Sequence, residues 1–206
     1  PMAAGFIVEF RAETRDGTAV RLLAACGNLA EANMARSFGM DGIGLYRTEL
    51  LFLVESSAPS EEALVHHYRE VVRNDQQPAW LRLLDVAPGS GVPGMPTADV
   101  RNPALGLRGV RGLLEAAPVM RLQLRAILRA TAETSNGAVL VPFVTGLGDL
   151  QRVRAALLEE RHELRKRGVP CAETLQVAPI IEVPAAALTC RALLNEGAFA
   201  VVALDA

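Results

Sequence analysis

Six stretches of this chain are almost unbroken in apolar residues: VRLLAACG (20–27), GIGLYRT (42–48), AWLRLLDV (79–86), AVLVPFV (138–144), LQVAPIIEV (175–183) and AFAVVALD (198–205). Strands that are apolar on both faces belong to a parallel sheet covered by helices. The segments between them repeat their apolar residues at helical spacing, which predicts helices over 28–40, 59–75, 104–116, 118–133, 147–167 and 184–195. Asn28 and Ser60 are placed to cap two of these helices, and Glu61 and Glu62 would complement the dipole of the second. The TRDG stretch (14–17) predicts a turn, which leaves 1–17 as a lead-in segment and 18–206 as the main domain. A strand-then-helix unit of roughly 30 residues, repeated, suits an α/β fold of one of two kinds. These are an open doubly wound sheet and most of a (β/α)8 barrel.

One connection breaks the rhythm. Residues 87–103, APGSGVPGMPTADVRNP, are rich in Pro and Gly and long for a link without structure of its own, which points to a functional loop.

Composition narrows the function more by exclusion than by assignment. The chain has 206 residues, half of them hydrophobic, enough for a sizeable core. Its 21 Lys plus Arg are balanced by 23 Asp plus Glu, so no basic field argues for nucleic acid or an anionic membrane. No apolar run approaches the roughly 18 residues of a membrane span, so no membrane insertion is expected. Cys26, Cys171 and Cys190 are scattered without a CxxC pair, which indicates reduced thiols and a cytoplasmic protein rather than a disulfide framework or zinc site. The basic residues are almost all arginine. Arginine suits forked contacts to carboxylate or phosphate, although a GC-rich genome produces the same bias.

In either α/β architecture the site forms beyond the C-terminal ends of the strands. Arg47 ends the second strand, Arg82 and Asp85 lie in the third, Arg108 follows the long loop, Glu182 ends the fifth and Asp205 ends the sixth. Converging arginines suit a small, highly anionic ligand, because each fork can meet two oxygens. Carboxylates on neighbouring strands suit a hard divalent cation such as Mg2+. The competing expectation is plain ion pairing at the strand ends, Arg47 with Glu49 or Arg82 with Asp85.

GIGLYRTELLF (42–52), LRLLD (81–85), NPALGLRGVR (102–111), VLVPFVT (139–145) and IIEVPAAAL (180–188) occur in the order and spacing of a known domain. Over about residues 18–206 the chain resembles the phosphoenolpyruvate-binding domain of enzyme I of the bacterial sugar phosphotransferase system. Pyruvate phosphate dikinase and phosphoenolpyruvate synthase share that domain. The stretch from Phe52 to Ser60, YREVV, and MRLQLRAILRA (120–130) favour enzyme I, whereas RLLD is closer to the dikinase. The resemblance implies a TIM-barrel (β/α)8 fold, present here as an incomplete barrel of about six βα units. It implies transfer of a phosphoryl group from phosphoenolpyruvate to a histidine on a separate domain, with Mg2+ assisting and a phosphocarrier protein downstream. By the same resemblance Arg47, Arg82 and Arg108 would bind substrate and Glu182 would be a metal ligand. A homo-oligomer is implied as well.

The chain also departs from the family pattern. Ala87, Pro88, Gly89 and Ser90 stand where the family reads Gly-Gly-Asp-Lys, and Ala25 replaces an Asn. Ala203, Leu204, Asp205 and Ala206 stand for Gly-Thr-Asn-Asp, so that Asp205 is a metal ligand only with a one-residue shift. The last two βα units, the cysteine that the family uses as proton donor and the histidine domain are not expected in this chain, and no catalytic residue is identified in it. His66, His67 and His162 fall in expected helices rather than as phosphoryl acceptors; Cys26 and Cys190, like Tyr46 and Trp80, read as core or pocket wall. Two alternatives follow. The chain is a degenerate relative acting as a regulatory or interaction module, or a fragment of a dikinase or synthase.

Overall fold

The computed structural model describes residues 12–53, 58–73, 77–97, 106–197, 199 and 201–202. Its main element is a parallel sheet of six strands in strictly sequential order: β3 (Ala24–Cys26), β4 (Ile43–Tyr46), β5 (Ala79–Arg82), β6 (Gly137–Val141), β7 (Gln176–Ile181) and β8 (Val201–Val202). Helices follow the strands: α1 (Leu29–Ser37), α2 (Leu50–Leu53), α3 (Glu61–Val72), α4 (Val110–Glu115), α5 (Ala117–Ala130), α6 (Leu147–Lys166), α7 (Pro184–Leu188) and α8 (Cys190–Glu196). A short antiparallel hairpin, β1 (Ala12–Glu13) and β2 (Ala19–Val20), precedes the sheet around the expected TRDG turn.

Burial explains why these runs form strands. Every residue of β6 is buried, as a strand covered on both faces must be. One face joins the helices in the main core, where Leu81, Val139, Val141, Leu124 and Ile127 meet. The other face carries a second, smaller cluster built on Leu140, Ala178 and Ile180, with Leu45, Trp80, Phe199 and Val201 against it. Trp80 and Phe199 stack there with ring centroids 4.5 Å apart.

The caps form as the sequence indicates. Asn28 accepts from the Glu31 N–H at 2.9 Å, and the Glu31 carboxylate reaches back to the Gly27 N–H at 2.6 Å, a reciprocal cap for α1. Ser60 accepts from the Ala63 N–H at 3.2 Å at the start of α3.

Several elements are shorter than the apolar runs suggest. The run 20–27 splits, because Asp41 takes both polar backbone groups of Leu22: its carboxylate accepts the Leu22 N–H and its N–H donates to the Leu22 carbonyl. The run 184–195 becomes two helices that meet at Thr189. The helical turn α2 lies past the expected strand 42–48, in a stretch for which the sequence predicts no element. Of the expected strand 198–205, Val201–Val202 are strand, and most of the remainder, Asp205 included, lies outside the described residues. No described helix is long and apolar enough to cross a membrane.

Candidate functional site

The sheet places its charged residues at one end. Arg47 is the first residue past β4, and its N–H donates to the Cys26 carbonyl at 2.7 Å, which ties it to the end of β3. Its guanidinium lies over Gly27, where any Cβ would sit 3.2 Å from Nη2. A larger residue at 27 would push the arginine aside. Arg82 closes β5, Asp85 follows in the same segment, Arg108 stands just before α4 and Glu182 just past β7. Together with Gly27, Glu31, Glu49, Leu50 and Phe143 they line a cavity of about 760 Å³.

The charges are unequally spent. Arg82 pairs with Glu49 at 2.9 Å and with Asp85 at 3.6 Å, and Asp85 takes the Arg108 Nε–H at 3.0 Å. The Arg82–Asp85 pair is therefore present, but Glu49 faces Arg82 and not Arg47. Among the described residues no carboxylate pairs with Arg47, and the buried Nε of Arg82 has no hydrogen-bond partner. The hydrogen bond from Arg108 to Asp85 raises the Arg108 pKa further above its ordinary value.

Glu182 sits differently. One carboxylate oxygen accepts the Phe143 N–H at 2.7 Å, and the other has no described partner. Burial, with Asp85 adding repulsion, raises its pKa against the pull of that N–H and of the two arginines. A half-buried carboxylate with an open oxygen and too little positive charge around it is chemically suited to a hard cation. Among the described residues no three His, Cys, Asp or Glu side chains cluster as a complete metal cage.

Two residues in the site carry no sequence signal of their role, or an overlooked one. Phe143 has a left-handed backbone, φ 54°, the one described non-glycine residue with positive φ, which places its N–H on Glu182. Its ring lies 4.5 Å from the Arg108 guanidinium carbon. Gly109 makes this possible: a Cβ there would come within 2.8 Å of the Phe143 Cβ. The second residue is Gln123 of α5, fully buried, whose Nε2 donates to the Thr48 hydroxyl at 2.9 Å and whose Oε1 accepts the Leu84 N–H at 2.9 Å. A polar residue on the otherwise apolar stripe Met120, Leu124, Ile127 is the signal that could have found it.

The remaining candidates stand apart from the cavity. His66 and His162 are exposed, and His67 is half-buried with its Nε2 2.6 Å from the Tyr46 hydroxyl. Burial raises the Cys26 thiol pKa, which suits a core residue rather than a nucleophile. Cys171 and Cys190 are partly buried against the core.

Known proteins are similar to this chain in sequence. The family model described as PEP-utilising enzyme, PEP-binding domain, matches residues 3–202. A phosphoenolpyruvate-protein phosphotransferase of Geobacillus stearothermophilus is 35% identical over 176 residues, covering 85% of this chain and 30% of the relative. One of Borreliella burgdorferi is 32% identical over 187 residues, covering 90% and 32%. A multiphosphoryl transfer protein of Shigella flexneri is 34% identical over 174 residues, covering 84% and 21%. The chain thus spans a third or less of the length of these curated relatives. With a match over nearly its whole length, and with the motif arginines gathered at one end of a parallel sheet, the chain belongs to the PEP-utilising enzymes, in the family of their PEP-binding domain.

Proposed function

We infer that this chain is the phosphoenolpyruvate-binding portion of an enzyme I-like phosphotransferase, with its substrate seated in the cavity at the strand ends. The observation that carries the reading is that Arg47, Arg82 and Arg108, from successive segments of the sheet, face one cavity in which, among the described residues, no carboxylate lies within ion-pair distance of Arg47. Arg82 and Arg108 are paired with carboxylates in the cavity, whereas the exposed Arg47 keeps its fork open to an anion, and phosphoenolpyruvate offers a phosphate and a carboxylate a few bonds apart.

Phosphoryl transfer asks the protein for positioning and charge stabilisation rather than covalent chemistry. Arg47, anchored through its own N–H, would hold the phosphate. Arg82, held by Glu49 and Asp85, and Arg108, steadied by Asp85 and Phe143, would complete the grip. Glu182 would hold Mg2+, with Asp205, outside the described residues, as a second candidate. Bound there, Mg2+ would supply charge neutralisation on phosphate oxygens. None of the three histidines lines the cavity, which supports an acceptor histidine on a separate domain, loaded for a phosphocarrier protein.

The sequential strand order, without the reversal of a doubly wound sheet, and the second apolar cluster support a TIM-barrel fold of which β3–β8 are the first six strands. Residues 18–206 would then be the barrel portion and 1–17 its lead-in. A cytoplasmic homo-oligomer completes the reading. One observation favours a second reading, binding without turnover as a regulatory module: the segment 87–90 after Asp85 carries no charged side chain.

Calorimetric titration with phosphoenolpyruvate and Mg2+ tests the function. The reading predicts saturable binding that Arg47→Ala weakens by roughly 100-fold. No heat at millimolar ligand would overturn it, and binding by a full-length protein that cannot transfer phosphate would select the second reading.

A further inference from the structure

We propose that Gln123 is a positioning residue for this site: it takes over the work of the sheet where β4 and β5 part, and so sets the distance between Arg47 and Arg82. The proposal rests on the cavity being the phosphoenolpyruvate site.

The backbone ladder between these strands is brief. β4 and β5 pair at Ile43 with Ala79 and at Tyr46 with Leu81, with an irregularity between, and the pairing stops there. The next residues on the two strands are Arg47 and Arg82. The strands therefore separate at the point where the arginines need room, and separation leaves buried backbone groups without their usual partners.

Side chains supply what the ladder no longer does. The Thr48 hydroxyl donates to the Arg82 carbonyl at 2.9 Å. Gln123 reaches in from α5 and uses its whole amide: Nε2 donates to Thr48 Oγ1 at 2.9 Å and to the Tyr68 hydroxyl at 3.1 Å, while Oε1 accepts the Leu84 N–H at 2.9 Å. One buried amide thus holds the residue after Arg47, the residue before Asp85 and, through Thr48, the backbone of Arg82. Asp85 in turn orients Arg108. The cluster is fully buried, with Thr48, Tyr68 and Gln123 each at 0% exposure, so water does not compete for these bonds.

A fixed spacing matters only to a ligand that spans it. Phosphoenolpyruvate must meet arginines with both ends, whereas inorganic phosphate can settle on whichever one or two are near. A preorganised spacing therefore favours the two-ended ligand selectively.

The test compares wild type, Gln123→Met, which keeps the volume and removes every hydrogen bond, and Thr48→Val, a smaller change should the first fail to fold. Each is titrated with phosphoenolpyruvate and with inorganic phosphate, and the exchange of the Leu84 amide is followed alongside. Affinity for phosphoenolpyruvate should fall by about tenfold or more while that for phosphate changes by less than about threefold, with faster exchange at Leu84 in Gln123→Met. Equal losses for both ligands, or unchanged phosphoenolpyruvate affinity in a folded variant, would overturn the positioning role while leaving the substrate reading intact. Absence of phosphoenolpyruvate binding by the wild type would remove both.

Discussion

Two regions of this molecule are built from the same arginine and carboxylate chemistry and put it to opposite uses. On the outer helices, Arg121, Arg125 and Arg129 of α5 stand four residues apart and each meets two glutamates. Arg121 takes Glu159 and Glu160, Arg125 bridges Glu160 and Glu61, and Arg129 takes Glu61 and Glu62. This ladder ties α5 to α3 on one side and to α6 on the other, and no arginine in it is left without a carboxylate. At the strand ends the count differs: Arg82 and Arg108 share Asp85, and Arg47 has no described carboxylate partner. Ion pairs alone therefore do not mark a site. What singles out the candidate site is an arginine that faces a cavity with no carboxylate in ion-pair distance among the described residues.

Replacing the unspent charge should have the largest effect. Arg47→Ala removes an exposed side chain that no described carboxylate needs, so thermal stability should change by less than about 0.5 kcal/mol. Phosphoenolpyruvate affinity should fall by roughly 100-fold, near 3 kcal/mol, as expected when one partner of a charge pair in a binding site is lost. Calorimetry beside a melting curve measures both.

The opposite pattern belongs to the ladder. Arg125→Ala leaves Glu160, itself 7% exposed, and Glu61 each short of a partner. Denaturant unfolding should show a loss of about 1 to 2 kcal/mol, kept modest because the arginine is partly solvated. Phosphoenolpyruvate affinity should stay at the wild-type value. A large affinity loss here would erase the distinction between the two regions.

Phe143→Ala sharpens the contrast within the site. It retains the left-handed backbone but removes the ring against Arg108, a contact worth about 1 kcal/mol, so affinity should fall about fivefold with Arg47 untouched.

The smallest effect concerns pH. Burial lowers the His67 pKa, with His66 adding to it, so the folded chain keeps this ring neutral where the unfolded chain would protonate it. A depressed folded pKa contributes stability that is present above the unfolded value and is lost as pH falls through the folded one. His67→Gln should therefore flatten the acid side of the stability profile below the ordinary histidine range, measured by urea unfolding across pH.

The parallel sheet was legible because buried strands read as continuous apolar runs, and the positions of Arg47 and Glu182 at one end of it were legible because each is the charge at which such a run ends. Strand limits were not, since apolarity continues past the point where the ladder ends: Leu83 and Leu84 are fully buried beyond β5. Asp41 shows the reverse, a polar side chain distant in sequence cutting the run at Leu22. Gln123 left a trace, a polar residue on a buried helical stripe, whereas nothing in the sequence marks Phe143 as left-handed. The partner of Arg82 was half legible. Asp85 is near in sequence, but Glu49 reaches it only through the fold.

A structure of the protein with phosphoenolpyruvate and Mg2+ tests the central claim most directly. The account predicts the phosphate against Arg47, with Arg82 and Arg108 closing on the remaining oxygens and the α5 ladder unchanged. Ligand bound elsewhere, or a filled cavity in which Arg47 still points to solvent, would contradict it.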